Sequence, residues 1–386
     1  LGSQLTSIHS LKVALKEVGQ VYVQLRRICP NLTMFDVGGG LGVDYDGSKT
    51  TFASSMNYTT EEYARDVVWN IQDICKRGNV PEPDIVTEAG RAIVAHHSVL
   101  VFNVLGIAST FSHRINAPEI LKRVTQPAVQ MMAQLLVDLS PKNCQETLHD
   151  ATAIRNDMLA QFNLGLMTLE DRALGDRCYY ALLNEIDRLR HELYYVPEDL
   201  ERLPSMLTDT YFCNFSVFQS LPDSWAIHQI FPIMPIHRLN EEPTRSVVLA
   251  DITCDSDGKI DRFADLRDVK RSLPAHELRQ GEPYYFGAFL IGAYQEILGD
   301  LHNLFGDTNA VHVEVHEDGR AEFSNVGHGD TVQNVLKYVQ YDKSDLCERW
   351  RHALERAVAE GRMSAGESSE IFKKYVSSFD GYTYLE

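Results

Sequence analysis

The first 110 residues alternate between helical and extended patterns. From Ile8 to Ile28 apolar residues recur every three or four positions, and Pro30 follows, so we predict a helix that ends before the proline. Further patterns indicate strands at 33–37 and 84–87, a helix at 60–76 and a buried strand at 99–105. This alternation is typical of βα units in a parallel sheet or barrel.

The rest of the chain divides into helical and β-rich stretches. Long helical patterns at 119–139, 144–162 and 169–195 predict a helical-bundle insertion. Short β-rich runs predict a small β-domain, and they lie at 210–218, 245–254, 283–290 and 311–317. Helical patterns return at 330–339, 343–360 and 364–378. We therefore predict four parts: α/β at 1–110, a helical insertion at 111–207, a β-domain at 208–328 and C-terminal helices at 329–386.

Composition narrows the class of protein. The 386 residues are 44% apolar and 23% charged, as in ordinary globular proteins, and carry a formal charge of −18. That charge argues against nucleic-acid or anionic-membrane partners. The seven cysteines are scattered without a CxxC pair, so we expect a reducing, cytoplasmic location and no structural zinc. No apolar run approaches the roughly 20 residues that a membrane span needs.

The candidate chemistry begins with a glycine loop after the first predicted strand. Gly38, Gly39 and Gly40 can point several backbone N–H groups at one anion, because no Cβ blocks the approach. Glu88 and Arg91 end the next strand and suit a phosphorylated cofactor with a basic ring nitrogen, as in pyridoxal phosphate. A plain tight turn and a structural ion pair are the alternatives, and both remain open at this point.

Two further clusters could contribute chemistry. Cys254 and Asp255 end a hydrophobic strand, where the cysteine could exchange a proton with a carbanion and the carboxylate could hold a cation. An Asx-type turn with a chance cysteine fits the same residues. Tyr294 follows a run of small residues and could reach a phosphate with its hydroxyl. The adjacent pair His96 and His97 has no obvious third ligand, so we predict no metal site.

These segments together resemble the biosynthetic arginine decarboxylases, which belong to the alanine-racemase-type (fold III) pyridoxal-phosphate decarboxylases. The similar segments are Leu1-Gly-Ser-Gln4, 36–48 (DVGGGLGVDYDGS), 87–98 (TEAGRAIVAHHS), 214–225 (NFSVFQSLPDSW), 252–258 (ITCDSDG) and 287–295 (GAFLIGAYQ). The glycine loop and the Glu-x-Gly-Arg motif are shared by the wider superfamily. The helical insertion and the Phe-Gln-Ser-Leu-Pro-Asp run point to the arginine branch.

The resemblance implies a fold and a set of roles. The α/β part would be the C-terminal part of a pyridoxal-phosphate-binding (β/α)8 barrel, followed by the insertion, the β-domain and the C-terminal helices. Glu88 would pair with the pyridine nitrogen, while Cys254 and Asp255 would reach the cofactor of a partner subunit in a homodimer or larger homo-oligomer. The remaining cofactor-binding residues would be Ser3, Gly38, Gly39, Gly40, Gly90, Arg91 and Tyr294.

The implied reaction converts L-arginine to agmatine and carbon dioxide, which feeds putrescine and spermidine synthesis, with Mg²⁺ implied by the resemblance alone. Asp255 is the first candidate to contact the substrate guanidinium, and Asp223 is the second.

The resemblance also implies residues that the chain lacks. The family's cofactor-anchoring lysine belongs upstream of Leu1, so we expect these 386 residues to be a C-terminal portion that is inactive alone. Two other interpretations stay open. One is a decarboxylase for diaminopimelate, lysine or ornithine, and the other is a catalytically dead homologue that regulates an active partner.

Overall fold

The computed structural model describes residues 2–109, 115–265 and 269–385. Leu1 and the expected boundary between the α/β part and the insertion lie outside these ranges. No helix in the described ranges is both long enough and apolar enough to cross a membrane.

The N-terminal part is built from two helices and a small parallel sheet. Helices α1 (Ile8–Ile28) and α2 (Thr60–Gly78) have the predicted positions. Strands β1 (Met34–Asp36) and β2 (Asp84–Val86) pair in parallel, with Phe35 opposite Ile85. The helices pack closely because each contributes a glycine at the contact: a Cβ on Gly19 would lie 2.6 Å from Ile74. The short helix α3 (Gly90–Val94) then follows β2.

The third predicted strand belongs to a different sheet. Strand β3 (Leu100–Ala108) was expected to be a buried strand of the α/β part, and this is wrong in two respects. Its burial alternates, with Phe102 3% exposed and Val101 53% exposed. It also pairs antiparallel with strands of the β-domain, because one of its faces packs on their buried aromatic residues.

That second sheet is mixed and has seven strands. Its strands after β3 are β4 (Asp209–Cys213), β5 (Ile233–Pro235), β6 (Arg245–Ala250), β7 (Lys259–Ile260), β10 (Leu273–Ala275) and β11 (Tyr285–Ala288). The strands lie in the order β10-β6-β4-β3-β11-β5, with β7 beside β6, and β4 and β6 are the parallel pair. Two separate antiparallel sheets of two strands pair β8 (Phe263–Ala264) with β9 (Val269–Lys270) and β12 (Ala310–Val315) with β13 (Ala321–Gly327).

The predicted strand at 210–218 is too long. It ends at Cys213, and the chain turns into two short helices, α10 (Val217–Ser220) and α11 (Pro222–Ala226). The Ser216 side chain accepts a hydrogen bond from the N–H of Gln219 and caps the first of them, and Pro222 begins the second. Strand β13 was not predicted.

The insertion is helical as expected, with one break. The single helix predicted at 119–139 is two helices, because Pro127 cannot continue the first one. Met132, Met158 and Leu182 form the centre of the bundle core, and each is 0% exposed. Its helices are α4 (Ala117–Arg123), α5 (Pro127–Asp138), α6 (Cys144–Asn163), α7 (Leu169–Arg190), α8 (Glu198–Glu201) and α9 (Leu203–Met206).

The C-terminal part contains α12 (Val332–Tyr338), α13 (Lys343–Ala359) and α14 (Ala365–Ser378), close to the predicted positions. Ser364 and Glu367 form a capping box at the start of α14. After α14 the chain turns back to the β-domain. Leu385 and Asn214, the residue after β4, exchange two hydrogen bonds.

Candidate active site

The glycine loop forms a cradle against the N-terminal residues of the chain. Gly38 and Gly40 have positive φ values of 74° and 103°. A Cβ on Gly40 would lie 2.8 Å from the Gly2 carbonyl oxygen, so only glycine fits there. The N–H of Leu5 donates to the Gly40 carbonyl at 2.9 Å. Within the described ranges the N–H groups of Gly39 and Gly40 donate to no protein acceptor, which leaves them available to an anion.

Arg91 brings a buried positive charge to this cradle. Its side chain is 6% exposed. Nε donates to the Ser3 carbonyl at 3.0 Å, and Nη1 donates to the Tyr45 hydroxyl at 2.9 Å. The guanidinium also lies 4.7 Å from the centre of the Tyr294 ring. No carboxylate in the described part of the chain pairs with it, so the buried charge is complementary to an external anion.

A buried polar network connects Arg91 to the β-domain, and the sequence analysis missed most of it. Burial raises the pKa of Tyr45, the nearby negative charge of Asp223 raises it further, and the hydrogen bond from Arg91 opposes both effects. The phenol is therefore neutral at neutral pH. Asp223 accepts a hydrogen bond from Gln295 Nε2 at 2.8 Å. Tyr45 and Gln295 both lie in the similar segments, but nothing local in the sequence connects them.

The loop after β11 places Tyr294 over Arg91. Tyr294 has a positive φ of 71°, a conformation that costs energy for a residue with a side chain. Nearby, a Cβ on Gly292 would lie 2.0 Å from the Val94 carbonyl oxygen. The N–H of Gly292 donates to the Ala95 carbonyl at 3.1 Å. The close approach at Gly292 thus fixes the loop to the turn that follows Arg91.

Glu88 lies at the rim of the cradle. Its backbone N–H donates to the Gly38 carbonyl at 3.0 Å, and a Cβ on Gly39 would lie 3.9 Å from its Cβ. The side chain is exposed and forms no ion pair with Arg91 in the described residues, which removes the alternative of a structural ion pair. The N–H of Gly90 donates to the Glu88 carbonyl.

Cys254 and Asp255 lie apart from the cradle contacts. The Cys254 thiol donates to Asn303 Oδ1 at 3.8 Å, and an Asp255 carboxylate oxygen lies 3.6 Å from His302 Nε2. The Asp257 N–H donates to Asp255 Oδ1 at 2.9 Å, so the Asx-type turn considered as an alternative is present. The roles of both residues stay predictions, because nothing in this arrangement tests them.

The described residues contain no group of three histidine, cysteine, aspartate or glutamate side chains that could hold a metal ion. His96 and His97 lie in a 3-10 turn, where a ring nitrogen of His97 contacts the Val94 carbonyl. The cradle residues instead suit a phosphate beside a ring nitrogen. In the part of the chain that the structure describes, they offer N–H groups that donate to no protein acceptor, a buried guanidinium without a carboxylate partner, and a carboxylate at the rim.

Comparisons with known proteins agree with this geometry. Residues 1–95 match the pyridoxal-binding domain of the pyridoxal-dependent decarboxylases. Residues 122–204 match the arginine decarboxylase helical bundle domain, and residues 332–385 match the arginine decarboxylase C-terminal helical extension. The chain belongs to the biosynthetic arginine decarboxylase family. The expected family, cofactor class and fold are therefore confirmed.

Individual relatives show how much of the family's length is covered. The biosynthetic arginine decarboxylase of a Nostoc species is 47% identical over 385 residues, which are 100% of this chain and 56% of the relative. That of Gloeobacter violaceus is 49% identical over 100% of this chain and 60% of the relative. The crystal structure of SpeA from Campylobacter jejuni is 32% identical, with a TM-score of 0.83 over 100% of this chain and 61% of that one. The chain thus spans somewhat over half the length of these relatives.

Substitution of Gly40 tests the cradle. We expect Gly40→Ala to lower the free energy of unfolding by more than the matched substitution Gly47→Ala. Both glycines have positive φ, which costs alanine about 1–2 kcal/mol. Only at Gly40 does the new Cβ also meet backbone, which adds about 1–3 kcal/mol, whereas Gly47 has open space. Urea unfolding measures the difference, and equal losses in the two variants would contradict the packing assigned to Gly40.

Proposed function

We propose that this chain is part of an enzyme that decarboxylates L-arginine to agmatine and carbon dioxide for polyamine synthesis. The observation that carries the proposal is the buried guanidinium of Arg91, which has no carboxylate partner in the described ranges and lies beside free glycine N–H groups. When bound, pyridoxal phosphate supplies a ring that takes up the electron pair left behind as carbon dioxide departs. The family match supports arginine as the substrate.

The chain's own residues have separate tasks in this proposal. Ser3, the cradle glycines and Arg91 hold the phosphate, and the Tyr294 hydroxyl adds a further donor. The Glu88 carboxylate keeps a proton on the ring nitrogen, because a negative charge at hydrogen-bonding distance favours the cationic form. Neutral Tyr45 orients Arg91 without competing for its charge.

Cys254 and Asp255 act on the substrate. The Cys254 thiol donates a proton to the substrate carbon after decarboxylation, and Asp255 contacts the substrate guanidinium. Asp223 is a poorer candidate for that contact, since its carboxylate is buried and already accepts a hydrogen bond from Gln295. We propose that the pair serves the cofactor of a second subunit in a cytoplasmic homo-oligomer, because its contacts lie outside the cradle of its own chain.

Activity in this proposal also requires the part of the relatives' length that this chain does not span. None of the hydrogen bonds of the cradle residues in the described ranges involves a lysine, and the proposal assigns the anchoring lysine to that other part. We assign no protein site to the Mg²⁺ that the resemblance implies, since the described residues contain no suitable cluster.

A product assay tests the reaction. We expect the complete polypeptide with pyridoxal phosphate to form agmatine from L-arginine, and residues 1–386 alone to form none. Diaminopimelate, lysine and ornithine are the matched substrates. Preference for one of them would contradict the arginine assignment, and cofactor binding without any product would favour a regulatory homologue. Robust agmatine formation by residues 1–386 would refute the need for a lysine from elsewhere.

Glu88→Ala tests the ring-nitrogen role. In the complete enzyme we expect kcat to fall by about 10²–10³-fold, as when one preorganised electrostatic group is removed, with an unchanged unfolding midpoint. Glu82→Ala, which removes an exposed carboxylate just before β2, is the control and should leave kcat unchanged. Equal turnover in the Glu88 variant and the parent would exclude this role.

Cys254→Ala tests the contribution across subunits. The variant should form agmatine poorly, and mixing it with a Glu88→Ala variant should restore part of the activity, because some mixed dimers contain one intact site. Mixing Cys254→Ala with Asp255→Asn is the control, since both changes lie in the same half of the site and no intact site can form. Recovery of agmatine formation in the control mixture would contradict a site shared between subunits. So would a lack of recovery in both mixtures.

A further inference from the structure

The loop at residues 302–309 contacts both members of the Cys254–Asp255 pair. Asn303 Oδ1 accepts the Cys254 thiol hydrogen at 3.8 Å. His302 Nε2 lies 3.6 Å from the Asp255 carboxylate, and this nitrogen is buried without a hydrogen-bond partner in the described structure. The His302 ring also packs on Phe218, with their centres 4.3 Å apart. The side chains of the pair are therefore held both by their own Asx-type turn and by this loop.

The loop has a strained backbone where it makes these contacts. Asn303 and Leu304 have consecutive positive φ values of 55° and 61°. Asparagine tolerates this conformation better than most residues, but leucine does not. Such a conformation persists only where the surrounding structure holds it in place. Something packed against the loop must supply that constraint.

The C-terminal tail, residues 381–385, supplies much of it, beside Gln219 and Asp330, which hydrogen-bond to Asp307. The Tyr384 hydroxyl donates to the Gly306 carbonyl at 2.9 Å, and the Gly306 N–H donates to Thr383 Oγ1 at 3.1 Å. The Asn309 N–H donates to the Tyr382 hydroxyl at 2.9 Å. The Tyr384 ring is 5% exposed and lies 5.3 Å from the Phe305 ring, centre to centre. Three consecutive tail residues, 382–384, thus form hydrogen bonds to the loop.

We propose that the C-terminal tail is a positioning element for Cys254 and Asp255, and that it acts through the loop at 302–309. Among the described residues, the hydrogen bonds and ion pairs of the two reactive side chains involve no residue of the tail. The tail holds the strained turn from which Asn303 accepts the thiol hydrogen and His302 faces the carboxylate. A catalytic role for this positioning rests on the proposed function. The effect of the tail on the Cys254 thiol, through the loop, does not.

Thiol reactivity in the full chain tests this coupling without turnover. Iodoacetamide labelling of Cys254 is followed by peptide mass spectrometry between pH 6 and 9, with exposed Cys29, the residue after α1, as the internal reference. The double variant Thr383→Val with Tyr384→Phe removes the two hydroxyls that bind Gly306. We expect the Cys254 to Cys29 rate ratio at neutral pH to rise about two- to tenfold, the range of one hydrogen bond. Asn303→Gly, which removes the acceptor and keeps positive φ, should raise it in the same way.

Matched variants separate positioning from general damage. Thr383→Ser keeps the hydroxyl and should preserve the parent ratio, as should Tyr341→Phe on an exposed tyrosine. Labelling of buried Cys75 and Cys178 would reveal an unfolded variant, in which case Thr383→Val alone replaces the double variant. A ratio that responds to Asn303→Gly but not to the tail variants would overturn the proposal.

A second arm uses the complete enzyme. The double variant should lower kcat for arginine while its affinity for pyridoxal phosphate stays unchanged, because the tail contacts lie outside the cradle. An enzyme without arginine activity whose Cys254 still responds to the tail would refute the proposed function alone. Loss of cofactor affinity in the tail variant would contradict a role confined to the pair.

Discussion

The candidate site depends on one buried cation. Arg91 donates hydrogen bonds to Ser3 near the start of the chain and to Tyr45 after the glycine loop. Its guanidinium also packs against the Tyr294 ring in the β-domain. A buried guanidinium is expensive unless its charge is balanced, and no acidic side chain in the described ranges balances it. The same place offers free glycine N–H groups. The Arg91 guanidinium and the glycine N–H groups both favour a compact anion as their partner. A phosphate group is such an anion, so it would balance the buried charge and accept hydrogen bonds from the N–H groups.

The cradle is shared between two parts of the chain, and this couples its geometry to their packing. The loop after β11 lies so close to the turn after Arg91 that Gly292 has no room for a Cβ. Tyr294 has an unfavourable backbone conformation in that loop, and two hydrogen bonds between Asp223 and the next residue, Gln295, help to hold it. Movement of the β-domain relative to α3 would therefore displace the ring that covers the guanidinium. The α/β part thus holds Arg91 by hydrogen bonds, while the β-domain contributes the ring that covers it.

Local features of the sequence predicted the local parts of this arrangement. Helix α1 follows from apolar spacing and a proline, and the cradle follows from adjacent glycines, since both signals lie within a short segment. Strand β3 was assigned to the wrong sheet because a short apolar run has the same pattern in a parallel barrel and in a mixed sheet. The contact of Tyr45 with Arg91, and that of the tail with Gly306, could not be predicted, because each joins residues far apart in sequence.

The two halves of the proposed site are stabilised in different ways, and the difference bears on how they work together. The cradle is held by close backbone packing and a buried charge, so it is preformed. Cys254 is exposed, and it depends on a strained loop that the last residues of the chain hold in place. In the proposed function, Cys254 and Asp255 meet a cofactor only in the assembled oligomer, so no bound group orients the pair beforehand. Its orientation must then come from its own chain, and the contacts between tail and loop provide that support.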